Sequence, residues 1–262
     1  MGDGVVSAAR WHVAAASVRG TSHERAGLPC QDAHVWAESA QGLLVAAVAD
    51  GAGSARLAVE GAALAASRAV ELLLQKLGSE PAPVAEDDTT WRELLNGGLA
   101  AARKALEAEA TKRSVGLKDL ATTLSVLAAG SEFVAGAQIG DGALIVSDEA
   151  GGLRAVAGSA PGEYLNETLF LTSDDALGGA VSAVWRGRVA HVALLSDGLR
   201  MVALRMPGGE PHAGFFSPLF QFIERQRDGQ QANRELAEFL GSARLRERTD
   251  DDLTLVMASV GR

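Results

Sequence analysis

Long apolar runs, cut by glycine and aspartate, alternate along this chain with stretches of helical period. Residues 11–18 read as a first strand and residues 33–37 as a short one. Residues 43–50 run almost wholly apolar into Asp50-Gly51-Ala52-Gly53, the pattern of a buried strand closed by a tight turn. Between residues 54 and 77 the period changes. Leu57, Ala58, Gly61, Ala62, Ala65, Ala69, Leu72 and Leu73 recur at spacings of three and four, predicting a helix capped by Ser54 and closed by Gly78. Residues 79–90 carry two prolines and four carboxylates and read as a solvated linker. A second helix over about 89–113 completes an αα pair. Strands are predicted at 121–127, 133–138, 143–147 and 153–157, spaced by short turns as in an antiparallel meander. Residues 158–179 read as irregular, and strands return at 180–185 and 189–196, the latter running into Asp197-Gly198. Residues 214–241 read as two helical pieces broken near Asp228-Gly229, and Thr249-Asp250-Asp251-Asp252 opens a last apolar strand. Two strand blocks with helices between and after them predict an α+β fold. The expected form is a four-layer α-β-β-α sandwich, two central antiparallel sheets flanked by helices, as a single domain over residues 1–262.

Composition narrows the function. With 262 residues, 47% of them apolar, the chain can bury a sizeable core. A formal charge of −9 argues against an extended nucleic-acid surface. No apolar run reaches the ~20 residues of a membrane span, and residues 1–10 lack the apolar core of a secretory signal. The one cysteine, Cys30, cannot form an internal disulfide, which fits a reducing, cytoplasmic setting. One cysteine and five scattered histidines leave no zinc pattern.

The chemistry concentrates in aspartates at strand borders. Asp50 and Asp197 end strands, Asp251 precedes one, Asp141 follows Ile139-Gly140, and Asp32 precedes the short second strand. Each alone reads equally as a turn former or helix cap. Together they suit a shared site, because converging carboxylates repel unless a multivalent cation neutralises them. Oxygen-only donors favour Mg²⁺ or Mn²⁺ over softer metals. Two such ions sharing a carboxylate can polarise a phosphoryl group and activate water.

In order along about residues 15–260 stand Gln31-Asp32-Ala33, Val48-Ala49-Asp50-Gly51-Ala52-Gly53, Ala121-Thr122-Thr123-Leu124, Gln138-Ile139-Gly140-Asp141-Gly142, Leu195-Ser196-Asp197-Gly198 and Asp251-Asp252-Leu253-Thr254. This series resembles the metal-dependent serine/threonine protein phosphatases of type 2C, the PPM family. Pro29-Cys30-Gln31-Asp32 and the stretch from Gly162-Glu163-Tyr164 to Thr168 are similar to its bacterial branch. The resemblance implies hydrolysis of phosphoserine and phosphothreonine on proteins by water held between two Mn²⁺ or Mg²⁺ ions. It implies Asp50 as the bridging carboxylate, the Gly51 carbonyl, Asp197 and Asp251 as further ligands, and Asp32 beside the metal-bound waters. A third, looser ion is implied at Asp141, with Asp119 as a second candidate. The implied partner is a phosphoprotein, paired with a Ser/Thr kinase, with no nucleic acid and no membrane.

Three positions depart from that family pattern. Gln31 stands where Glu is common, Gly27 where an arginine grips the substrate phosphate, and Ala52 where some members carry a histidine that protonates the leaving alkoxide. His23 or Arg25 is the candidate to replace the phosphate grip. Cys30 reads as a loop thiol, and the arginines at 225, 227, 244, 246 and 248 as solvated helix faces. The departures keep two alternatives open: a phosphatase-like regulatory or binding module with little turnover, and a hydrolase for small phosphate esters.

Overall fold

A computed structural model describes residues 11–79, 87–157 and 168–261. The first half contains β1 (Trp11–Val18), α1 (Thr21–Ala26), β2 (Asp32–Glu38), β3 (Leu44–Asp50), α2 (Ala58–Ser79), α3 (Asp88–Arg113), β4 (Leu124–Ala129) and β5 (Phe133–Ile139). It continues with β6 (Ala143–Asp148), β7 (Leu153–Ala157), β8 (Val181–Arg186), β9 (Val189–Leu195), α4 (Arg200–Ala203), β10 (Leu204–Arg205) and β11 (Glu210–Pro211). The chain then forms α5 (Ala213–Arg225), α6 (Gly229–Leu240), α7 (Ala243–Arg246) and β12 (Leu253–Val260).

Two five-stranded sheets carry the fold, ordered β1-β12-β9-β6-β7 and β2-β3-β4-β5-β8, with every pairing antiparallel. Strand side chains alternate between two faces, and here both faces are buried. In β3, Leu44, Ala46 and Val48 point between the sheets, against Leu144, Leu194 and Val256. Val45, Ala47 and Ala49 point the other way, against Ala62, Ala65, Ala69 and Leu73 of α2. In β12, Val256 and Ala258 face the inter-sheet core, while Leu255 and Met257 face Phe216, Phe220 and Leu236 of α5 and α6. The result is the predicted α-β-β-α sandwich. The unbroken apolar runs follow from strands buried on both sides.

Boundaries differ where tertiary contacts decide them. The helix predicted from Ser54 begins at Ala58, because turn hydrogen bonds from Ala55 N to Ala52 O and from Ala58 N to Ala55 O occupy the intervening residues. Ser54 is therefore not its cap, and Gly78 lies inside the helix rather than beyond it. The predicted strand at 121–127 starts three residues later, at Leu124. Residues 117–120 form a 3₁₀ turn. α1 was not expected; its Ser22 N donates to Asp250 O at 2.8 Å, a contact 228 residues away in sequence that no local pattern announces. Residues 162–167 of the bacterial-type stretch lie outside the described residues. Among the described residues no helix is long and apolar enough to cross a membrane.

Candidate metal centre

The site lies where strand ends of the two sheets come together. Asp50, the last residue of β3, stands in register opposite Asp32, the first residue of β2. In the other sheet β9 pairs with β12 and β6, so Asp197 after β9, Asp251 before β12 and Asp141 before β6 come to the same end. Ser196 ties the sheets together. Its Oγ donates to Asp32 Oδ2 at 2.7 Å and accepts from Thr254 N at 3.0 Å. Thr122 and Thr123 clamp the Asp50 main chain. Asp50 N donates to Thr123 Oγ1 (3.1 Å), and Asp50 O accepts from Thr123 N (2.8 Å) and Thr122 Oγ1 (2.9 Å).

The carboxylates that meet here disturb one another. Burial pushes Asp50 up to about 10, and the charges of Asp32, Asp197 and Asp251 add to the rise. Burial raises Asp32 to about 7 against the opposing hydrogen bond from Ser196, with Asp252 and Asp197 adding repulsion. Asp197 rises to about 6 through burial and then through the charges of Asp141 and Asp251. These protons belong to the cluster rather than to single residues. Asp251 is exposed, and its Oδ1 accepts from Asp252 N at 2.8 Å. Asp141 Oδ2 accepts from Arg200 Nη1 at 3.2 Å, while its buried Oδ1 has no partner among the described residues.

A divalent cation fits this donor set. Five strand-border carboxylates share the region, all the donors are oxygens, and burial together with repulsion holds protons on groups that are ordinarily ionised. Among the described residues no three His, Cys, Asp or Glu groups already stand at metal-ligand spacing. Asp50 instead lies close enough to Asp32 and Asp197 for their charges to act on it. Both observations agree if the carboxylates lean on each other where a cation would separate them.

The remaining candidates are placed differently. Asp119 caps the 3₁₀ turn: its Oδ2 accepts from Gly116 N at 3.1 Å and lies 3.5 Å from Arg56. Arg25 is exposed and pairs with Asp250 at 3.0 Å. His23 Nδ1 lies 2.9 Å from Asp252 Oδ2, an ion-pair distance without the alignment of a hydrogen bond.

Asp252, Ser196 and the two threonines are supporting groups that the strand-border pattern did not single out. Asp252 is 2% exposed. Its Oδ1 accepts from Gly20 N at 2.7 Å and its Oδ2 from Gln31 N at 2.6 Å. The chain passes so close that a Cβ on Gly20 would lie 2.2 Å from the Asp251 carbonyl carbon. The sequence signal for Asp252 was present, because it opens an apolar strand, but it could not say which of three consecutive aspartates turns inward.

The profile of the family described as "Protein phosphatase 2C" matches residues 19–241. Serine/threonine-protein phosphatase 3 of Escherichia coli (strain K12) is 36% identical over 255 residues, covering 95% of this chain and 98% of that protein. Serine/threonine phosphatase Stp1 from Staphylococcus aureus superposes with a TM-score of 0.62 at 12% identity, over 95% of each chain. The Mycobacterium tuberculosis serine/threonine phosphatase PstP/Ppp does so with a TM-score of 0.61 at 15% identity, over 96% of this chain and 99% of that one. These two similarities concern the fold. The profile match and the E. coli relative carry the assignment: the chain belongs to the protein phosphatase 2C family.

Proposed function

We propose that this chain is a serine/threonine protein phosphatase that hydrolyses phosphomonoesters where the strand ends of its two sheets meet, within one phosphatase domain. The observation that carries this reading is the convergence of Asp32, Asp50, Asp197 and Asp251 from both sheets, with protons held on Asp32, Asp50 and Asp197 by burial and then by mutual repulsion. In this reading Asp50 and the Gly51 carbonyl, with Asp197 and Asp251, hold two Mn²⁺ or Mg²⁺ ions, and Asp141 helps with a third. Bound there, the ions would lower the pKa of a water and polarise the phosphoryl oxygens. The protein's own residues do the rest. Thr122 and Thr123 fix the Asp50 backbone, Ser196 orients Asp32, and Asp32 accepts a hydrogen bond from the attacking water. Asp119 is left out, because its carboxylate is engaged with Gly116 and Arg56.

Specificity for phosphoserine and phosphothreonine on proteins is supported by the likeness to serine/threonine-protein phosphatase 3 of E. coli. The substrate is then the product of a Ser/Thr kinase. The lone Cys30 fits a cytoplasmic setting. Phosphate release from a phosphothreonine peptide tests the reading. It should require Mn²⁺ or Mg²⁺ and stop with EDTA. Release unaffected by chelation contradicts the metal assignment, and no release with Mn²⁺ favours the regulatory alternative.

A further inference from the structure

Hydrolysis of a serine or threonine phosphate expels an alkoxide, so a proton donor at the leaving oxygen contributes strongly, whereas an aryl phosphate needs little help. Ala52 offers no such group, and in the reading above the cluster carboxylates would be committed to the cation. We infer that His23 is this donor, an inference that rests on the phosphatase reading above.

α1 presents His23 on a fixed mount. Ser22 N donates to Asp250 O at 2.8 Å, and Gly20 N donates to Asp252 Oδ1 at 2.7 Å. The His23 and Asp252 side chains are 13% and 2% exposed, with Nδ1 2.9 Å from Oδ2. The other ring nitrogen faces the turn after Asp50. A methyl group built on Gly53 would lie 4.0 Å from His23 Nε2 and 4.0 Å from Gln31 Oε1. Those two polar atoms therefore border one space beside the Asp50-Gly51-Ala52-Gly53 turn, and Gly53 opens it to solvent.

A second observation points to a ligand there. Gln31 is 6% exposed, yet its buried Oε1 has no hydrogen-bond partner among the described residues. Such an acceptor is costly to leave unmet. The main chain of Gln31 is held on both sides, its N donating to Asp252 Oδ2 and its O accepting from Gly51 N at 3.2 Å.

With Nδ1 turned to the buried Asp252 carboxylate, Nε2 is the ring nitrogen left facing the turn and able to pass a proton to substrate. The charged neighbours are otherwise occupied: Glu24 with Arg246, and Arg25 with Asp250. Asp32 and Cys30 flank Asp252. In the step, the water oxygen bonds to phosphorus and the phosphorus–oxygen bond to the side chain breaks. Its electron pair stays on the leaving oxygen, which takes the Nε2 proton to become the free alcohol. The attacking water's surplus proton passes to solvent, from which the ring is reprotonated.

The test compares leaving groups. For His23→Gln with Mn²⁺, the ratio of kcat on a phosphothreonine peptide to kcat on p-nitrophenyl phosphate should fall by about 10²-fold. An unchanged ratio overturns the inference, whether both activities fall together or neither does. The metal-free protein gives an independent reading. Imidazole ¹H–¹⁵N spectra should place a proton on His23 Nδ1, and Asp252→Asn should shift that population toward Nε2. A ring indifferent to Asp252→Asn also overturns it. If Asp50→Asn abolishes turnover while His23→Gln keeps the ratio, the donor assignment fails and the phosphatase reading stands. A wild-type protein inactive on both esters sinks both.

Discussion

At the scale of single residues, the proposed chemistry turns on Asp50. Its position could be read from the sequence, because an apolar run that ends in Asp-Gly marks a strand delivering a carboxylate to a sheet edge. Its surroundings could not, because they come from four other stretches. The same limit applies to Asp119, which lies two residues from Ala121-Thr122-Thr123 yet turns its carboxylate back to Gly116 N. Sequence proximity places a residue near a site, and local turn geometry decides where its side chain goes. His23 shows the converse, since only the fold reveals Asp252 beside it. The raised carboxylates predict a pH response. In the folded, metal-free protein Asp197, Asp32 and Asp50 keep protons up to about 6, 7 and 10, whereas in the unfolded chain they lose them near the usual 3.8. The folded form therefore binds more protons above about pH 4, and stability falls as pH rises through that window. His34, whose burial lowers its pKa, adds a single opposing contribution near neutrality. The Tm of metal-free protein should drop between pH 5 and pH 8, and saturating Mn²⁺ should remove most of the drop. A metal-free Tm that rises over this range contradicts the convergence of the carboxylates.

At the scale of elements, long periodic segments were legible and short ones were not. α2 was readable from its alanine stripe, and that stripe has a structural purpose. Ala62, Ala65, Ala66 and Ala69 let the helix lie close over Ala47 and Ala49 of β3, the strand that carries Asp50. α1 was missed because six polar and small residues show no period and are held by Asp250 and Asp252. Gly61 marks the closest approach in this layer: a Cβ there would lie 2.4 Å from the Leu120 carbonyl oxygen. Helix propensity alone favours Gly61→Ala by about 1 kcal/mol. The backbone oxygen cannot yield as a side chain would, so overpacking should prevail and the variant should lose about 1–3 kcal/mol in denaturant unfolding. A gain of stability would show that α2 and the 3₁₀ turn before Thr122 are not packed as described.

At the scale of the whole molecule, the fold class was legible because two blocks of strands separated by helices leave few ways to bury both sheet faces. Strand order was not, since β1 pairs with β12 from the opposite end of the chain while β2 joins the other sheet. That division is what makes the site depend on the whole fold. Asp32 and Asp50 belong to one sheet, Asp197, Asp251 and Asp141 to the other, and the inter-sheet core sets the distance between them. Leu127 is fully buried in that core. Leu127→Ala should cost about 2–5 kcal/mol and also weaken Mn²⁺ binding. Lost stability with unaltered Mn²⁺ affinity would mean that the sheets do not set the site's dimensions.

The most direct test of the central claim, that carboxylates from both sheets hold the catalytic ions together, is calorimetric titration of Mn²⁺ into the wild-type protein, Asp50→Asn and Asp197→Asn. Each substitution removes a carboxylate from a different sheet and keeps the side chain's size. The account predicts that both variants stay folded, bind Mn²⁺ at least about tenfold more weakly, a loss of about 1.4 kcal/mol or more, and lose phosphate release from a phosphothreonine peptide. Wild-type Mn²⁺ affinity in either folded variant would contradict it.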